Sequence, residues 1–189
     1  MIEGFEKQIY VGIVFDIHDF TYNKDSGLKF IKKTFMDFFS NIGGDSSKCS
    51  KKSLFSQHTR LYVSGNSKLP NTHAEGVAQL NSYKIKDTDL FEKLFRDTLF
   101  GVGSQKDCKK IIFVCTNKFK PNKTYAYKNI LRMNEDKDFN CSVHVLEFSQ
   151  NSKELQEAVE DKKSNYYCIL EMNYFNSILK DITKEIKNG

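Results

Sequence analysis

The stretch IYVGIVFDIHDFTY, Ile9 to Tyr22, decides how the rest of the chain is read. Ile9, Tyr10, Val11, Ile13, Val14 and Phe15 form a nearly unbroken apolar run, interrupted only by Gly12. A run this short and continuous is a strand buried on both faces, the usual state of a central strand in a parallel sheet. It stops at Asp16. Ligands of open α/β sheets gather just beyond the carboxyl ends of strands, so Asp16 and the polar residues after it stand where a site would lie.

Outward from this strand, Leu28, Ile31, Phe35, Phe38, Phe39 and Ile42 recur at helical spacing, and Gly43–Gly44 offers the left-handed cap that ends a helix. Asp45 to Ser56 is a polar Ser/Lys loop, and Leu61–Tyr62–Val63 makes a short second strand. Ala74 to Ile85 reads either way, with a short edge strand placed near Val77–Tyr83. Asp87 or Thr88 is the expected N-cap of a helix whose apolar face is Leu90, Phe91, Leu94, Phe95 and Leu99, and Gly101–Val102–Gly103 is expected to break it. Ile111 to Cys115 is another buried strand, followed by a Pro121 loop and a helix near Thr124–Asn134 with Tyr127, Ile130 and Leu131 inward. Val143–Phe148 is a strand and Ser152 caps a short helix. Tyr166–Leu170 is the last strand, and Phe175, Ile178, Leu179, Ile182 and Ile186 line the closing helix. Strands alternating with helices specify a mostly parallel central sheet covered on both faces, an α/β three-layer sandwich.

The 189 residues are expected to form one domain, 1–189, large enough to bury about 70% of its unfolded surface. No apolar run approaches the roughly 18 residues of a membrane span. Met1–Lys7 carries acids rather than a basic head, so no secretion signal is expected either. Five Cys without a CxxC pair, with Cys115, Cys141 and Cys168 inside apolar runs, suggest buried thiols of a reducing compartment and no zinc finger. The net charge of +5 comes from dispersed lysines, among them Lys118–Lys120–Lys123, and reads as a solvated surface. No nucleic-acid-binding motif accompanies it, so nucleic acid is not an expected partner.

The chain has no GxGxxG, no GxxxxGK[ST] and no GxSxG, which removes the sequence support for dinucleotide binding, P-loop NTP binding and an α/β-hydrolase. His144 alternates within a strand and reads as a satisfied sheet residue; His58 and His73 fall in polar loops; no His pairs with Cys115 by any local pattern. The constellation left is Asp16-Ile17-His18-Asp19-Phe20, Asp87-Thr88-Asp89 and Thr116-Asn117, three segments at strand or helix ends.

These are the positions at which a von Willebrand factor A domain builds its metal-ion-dependent adhesion site, and the order of elements resembles that family over nearly the whole chain. In the family the first loop reads D-x-S-x-S, the second loop gives a Thr and the later strand is followed by an Asp. Only Asp16 and Thr88 match; Asn117 stands for the Asp, and His18 and Phe20 stand for the two serines. Mg²⁺ wants oxygen ligands in tight octahedral geometry, and losing two hydroxyls and a carboxylate removes most of that shell. The expectation is therefore no metal and no cofactor, no catalytic residue, and a degenerate edge used for protein contact through Asp16, His18, Asp19, Phe20, Thr88 and Asn117.

Within the family, DIHDFTYNKD (Asp16–Asp25), IIFVCTNKF (Ile111–Phe119) and VHVLEFSQNSKELQEAV (Val143–Val159) resemble segments of one subgroup, the ubiquitin-receptor subunit of the 26S proteasome regulatory particle. The resemblance implies a non-catalytic scaffold in ubiquitin-dependent degradation, bridging lid and base subunits in cytoplasm and nucleus. The acidic ubiquitin-interacting helix of that subgroup has no counterpart before Gly189, so direct ubiquitin capture is not expected. The alternative is a von Willebrand A-like core subunit of general transcription factor IIH, which MDFFSN (Met36–Asn41) and YYCILEMNYFNSIL (Tyr166–Leu179) resemble.

Overall fold

The computed structural model describes residues 8–18, 24–41, 59–84, 90–117, 119–148 and 150–188. The chain runs β1 (Gln8–Asp16), α1 (Lys24–Asn41), β2 (Thr59–Val63), α2 (His73–Ser82), α3 (Phe91–Gly103), β3 (Cys108–Thr116), a 3-10 turn (Pro121–Lys123), α4 (Thr124–Asp136), β4 (Ser142–Phe148), α5 (Lys153–Glu160), β5 (Asn165–Ile169) and α6 (Met172–Asn188). The five strands form one sheet in the order β2-β1-β3-β4-β5, every adjacent pair parallel.

Strand alternation distributes the core. Ile9, Val11, Ile13 and Phe15 point to the face covered by α1, α2 and α6, where Phe35 and Phe175 meet at 5.3 Å between ring centroids. Val14, with Ile112, Val114, Val143 and Val145 from the neighbouring strands, points to the face covered by α3, α4 and α5. The apolar run of β1 is thus consumed by two cores rather than one. Gly12 is required on the second face: a Cβ there would lie 2.6 Å from Thr98 Cγ2 of α3. Among the described residues no helix is long and apolar enough to cross a membrane.

The structure corrects several local expectations. The edge strand near Val77–Tyr83 is instead part of α2. Thr72 Oγ1 accepts from Glu75 N–H, and Glu75 Oε2 accepts from Asn71 N–H, a T-x-x-E cap that turns the chain helical before any strand pairing can begin. His73, read as a loop residue, opens this helix. The helix α3 starts at Phe91, with Leu90 in the cap position and no side-chain cap, whereas Asp87 and Thr88, expected to cap it, lie outside the described residues. Its onset is set by packing, since the Phe91 ring lies 5.0 Å from that of Tyr127. The helix ends at Gly103, the last residue of the Gly101–Val102–Gly103 stretch expected to break it, and a Cβ at Gly103 would lie 2.5 Å from the Phe139 ring, so this glycine makes room for a side chain. Gly43–Gly44 and the Asp45–Ser56 loop lie outside the described residues.

His144 is a satisfied sheet residue: its ring sits between those of Phe113 and Tyr167, with Ser142 Oγ 3.0 Å from Nε2 and Tyr167 Oη 3.3 Å from Nδ1. Burial pulls its pKa down to about 4, so the folded protein holds it neutral. Between the ordinary value near 6.5 and about 4 the unfolded chain binds a proton that the folded chain does not. The associated stability is therefore complete above pH ~6.5 and is lost as pH falls through that window, by up to about 3 kcal/mol. Urea unfolding of the wild type and of His144→Gln between neutral pH and pH ~4 is expected to show the steeper acid loss only in the wild type.

Gly76 of α2 sits directly on β2, and a Cβ there would stand 2.3 Å from the Leu61 carbonyl oxygen. Gly76→Ala gains about 1 kcal/mol of helix propensity but forces α2 off the sheet, so a net loss of about 2 kcal/mol is expected, read as a melting temperature lower by about 5 °C.

Candidate functional site

The strand order reverses between β1 and β3, because the chain leaves β1 toward β2 on one side and returns to β3 on the other. The crevice beyond the carboxyl ends of these two strands is where an open parallel sheet presents a site. Asp16 ends β1, Thr116 ends β3, and the two are paired in register.

The Asp16 side chain is only 4% exposed, so its charge must be met within the protein. Lys123 Nζ lies 2.8 Å from both carboxylate oxygens. Thr116 Oγ1 donates to Oδ2 at 3.2 Å, and His18 Nε2 lies 3.3 Å from Oδ1. Behind this cluster Asn117 clasps the first loop: its Oδ1 accepts from His18 N–H at 2.8 Å and its Nδ2 donates to the His18 carbonyl at 2.7 Å. Asn117 N–H adds a contact of 3.4 Å to the Asp16 carbonyl. The Lys123 ammonium also lies 5.4 Å from the centre of the Phe91 ring, within cation–π range. Tyr127, fully buried beside these groups, has its phenol pushed well above the usual range by burial first and the Asp16 charge second. Tyr83 is pushed up to about 12, again by burial first, with Cys115 and Asp16 adding to it.

A second buried carboxylate shares the edge. Glu147, paired in register with Thr116, accepts from Ser152 N–H at 2.9 Å, from Ser152 Oγ at 2.6 Å and from the Tyr166 hydroxyl. Ser152 occupies the N-cap position of α5 as expected, but its hydroxyl serves Glu147 rather than the helix. A carboxylate next to a helix N-terminus is favoured by the helix dipole. Glu147 thereby fastens α5 to the end of β4.

Of the residues singled out in the sequence, the structure brings Asp16, His18 and Asn117 together; Asp19, Phe20 and Thr88 lie outside the described residues. Sequence reasoning missed Lys123 and Glu147. Lys123 was counted in a dispersed basic cluster, although a Lys at the first turn of a helix opposes the dipole and signals a partner elsewhere. Glu147 was legible as the one acid within the apolar run VHVLEF. Cys115 is fully buried and its thiol is pushed up by burial alone, the opposite of an activated nucleophile. Beside the cluster, between the ends of β1 and β2 and the start of α3, lies a cleft of about 580 Å³ lined in part by Asp16, His18, Tyr62, Tyr83 and Lys93.

The described residues of this edge do not fit the divalent cation implied by the fold family. An ionised carboxylate offers about four lone-pair positions, and each Asp16 oxygen already faces Lys123 plus one further group. Asn117 spends both ends of its amide on the His18 backbone. Among the described residues no three His, Cys, Asp or Glu side chains converge as metal ligands.

The fold is von Willebrand A-like: an α/β sandwich that has, among the described residues, a five-stranded parallel sheet and three helices on each face. A von Willebrand factor type A protein from Catenulispora acidiphila superimposes with a TM-score of 0.66 at 8% identity, covering 96% of this chain and 43% of that one. The D319A mutant of the PilB minor pilin from Streptococcus sanguinis gives a TM-score of 0.70 at 12% identity, covering 98% and 62%. Proximal thread matrix protein 1 from the mussel byssus gives 0.60 at 10% identity, covering 95% and 46%. The chain therefore spans between 43% and 62% of the length of these proteins, and at such identities the likeness is one of fold. No protein-family profile and no curated protein sequence matches the chain.

Asn117→Asp moves the sequence toward the family pattern yet is expected to destabilise. It replaces the Nδ2–H donated to the His18 carbonyl with a carboxylate oxygen and adds a charge near Asp16. A loss of about 2 kcal/mol is expected in chemical denaturation, and Asn117→Ala, which adds no charge, should lose less.

Proposed function

We propose that this chain is a non-catalytic protein-interaction module that docks through the carboxyl edge of its sheet. The observation that carries this reading is the placement of exposed apolar side chains. Of five large hydrophobics exposed among the described residues, four lie at that edge. Leu90 precedes α3, Tyr125 is in the first turn of α4, Leu170 follows β5 and Tyr174 is in the first turn of α6. Tyr125 and Leu170 are 72% and 68% exposed, and apolar surface gathered at one end of a polar protein marks an interaction site. The Asp16 oxygens each face Lys123 and one further group, and Glu147 holds three donors, which supports a binding role for these acids over a catalytic one.

The finer reading is a scaffold subunit of a large complex, bridging lid and base of the proteasome regulatory particle. It rests on the likeness of Asp16–Asp25, Ile111–Phe119 and Val143–Val159 to that subgroup. The transcription factor IIH core is the alternative, carried by Met36–Asn41 and Tyr166–Leu179.

Affinity purification from the protein's own cells, followed by mass spectrometry, separates these. Lid and base subunits support the first reading, helicase and cyclin-kinase subunits the second, and neither set removes both. Tyr125→Ser combined with Leu170→Ser is expected to leave the melting temperature unchanged while weakening partner recovery about tenfold, the loss of one anchor's worth of binding energy. Undiminished recovery would move the docking surface away from this edge.

A further inference from the structure

We infer that the Lys123 ammonium is the built-in cation of this site, standing where the fold family places a divalent metal, so that the edge is assembled by folding alone. Three independent observations carry it. The first is geometric: Nζ is equidistant, at 2.8 Å, from the two oxygens of the carboxylate that leads the first loop, and it is nearly buried, with 13% of the Lys123 side chain exposed. An ammonium has three N–H groups and no need of an octahedral shell. Two face Asp16, and Phe91 presents its ring to the same nitrogen at 5.4 Å.

The second is charge balance. The family's pattern sets two carboxylates against a doubly charged ion. In this chain the later carboxylate is the neutral Asn117, and the cation carries a single charge, so one Asp balances one Lys. The change of cation accounts for three departures at once. Without a metal to ligate, the hydroxyls replaced by His18 and Phe20 have no task, and the Asn117 amide is released to bind the His18 backbone.

The third is local. Lys123 occupies the N-cap position of α4, with no side-chain cap, where the positive end of the helix dipole disfavours a cation. Nothing in its own helix favours it there; the Asp16 carboxylate does. The short turn Pro121–Lys123, in which Lys123 N–H bonds the Lys120 carbonyl at 2.9 Å, brings the stem back toward β1.

The inference does not depend on which partner binds the edge. It is tested on the full chain by melting with MgCl₂ or MnCl₂ against NaCl of equal ionic strength, for the wild type, Lys123→Met, Asp16→Asn and the double variant. The wild-type melting temperature should be the same in all three salts. Lys123→Met strands a buried carboxylate and should melt roughly ten degrees lower, and the double variant, which removes both charges, should recover most of that loss. If Lys123→Met does not fold, recovery of a folded protein in the double variant gives the same answer. A rise of several degrees with Mg²⁺ or Mn²⁺ in the wild type that Asp16→Asn abolishes would overturn the inference. So would a Lys123→Met protein as stable as the wild type, or single-variant losses that simply add.

Discussion

Asp16 carries a carboxylate that the fold buries at the end of an interior strand, and the architecture of the strand edge follows from satisfying it. Burying an ion without partners costs several kcal/mol, more than a domain of this size can spare from its net stability. Four contacts meet the cost: two from Lys123, one each from Thr116 and His18. They come from the β1 end, the β3 end and the turn before α4. The pairing of one side chain therefore fixes how the end of β1 and a stretch about a hundred residues later converge over the switch point of the sheet. Glu147 repeats the solution one strand further along with neutral donors, tying β4, β5 and the start of α5.

That arrangement separates fold from chemistry. A byssal thread matrix protein, a minor pilin and a von Willebrand factor type A protein share the sandwich at 12% identity or less, and a scaffold so widely shared says little about activity. What is particular to this chain is at the edge. Its buried acids Asp16 and Glu147 are spent on internal partners, its thiol at Cys115 is sealed in the core, and four of the five large apolar side chains exposed among the described residues lie at the same end.

The helices show a related economy. Gly12, Gly76 and Gly103 each sit where a Cβ would meet Thr98, Leu61 or Phe139 at under 3 Å. Two of these contacts seat α3, against the centre of the sheet and against the Phe139 ring beyond α4, and one seats α2 on the edge strand. Close approach at a few glycines lets long aromatic side chains, Phe91, Phe95 and Tyr127 among them, fill the space between the helices.

The sequence by itself determined the alternation of strands and helices, the interior place of β1 and the position of Asp16 at its carboxyl end. These follow from periodicity and from runs of apolar residues, which are local and survive without knowledge of neighbours. It also carried, unread, the T-x-x-E cap that makes Thr72–Ser82 helical and the lone acid in VHVLEF. Only the tertiary structure decided which charge meets Asp16. Lys123 lies 107 positions away in the chain, and Asn117 stands 99 from the His18 backbone it clasps. Its place at a helix start hints that Lys123 has a partner outside its helix, but which partner depends on where β3 delivers the turn that follows it. A buried charge chooses its partner by position in space, and that position exists only once the strands have paired.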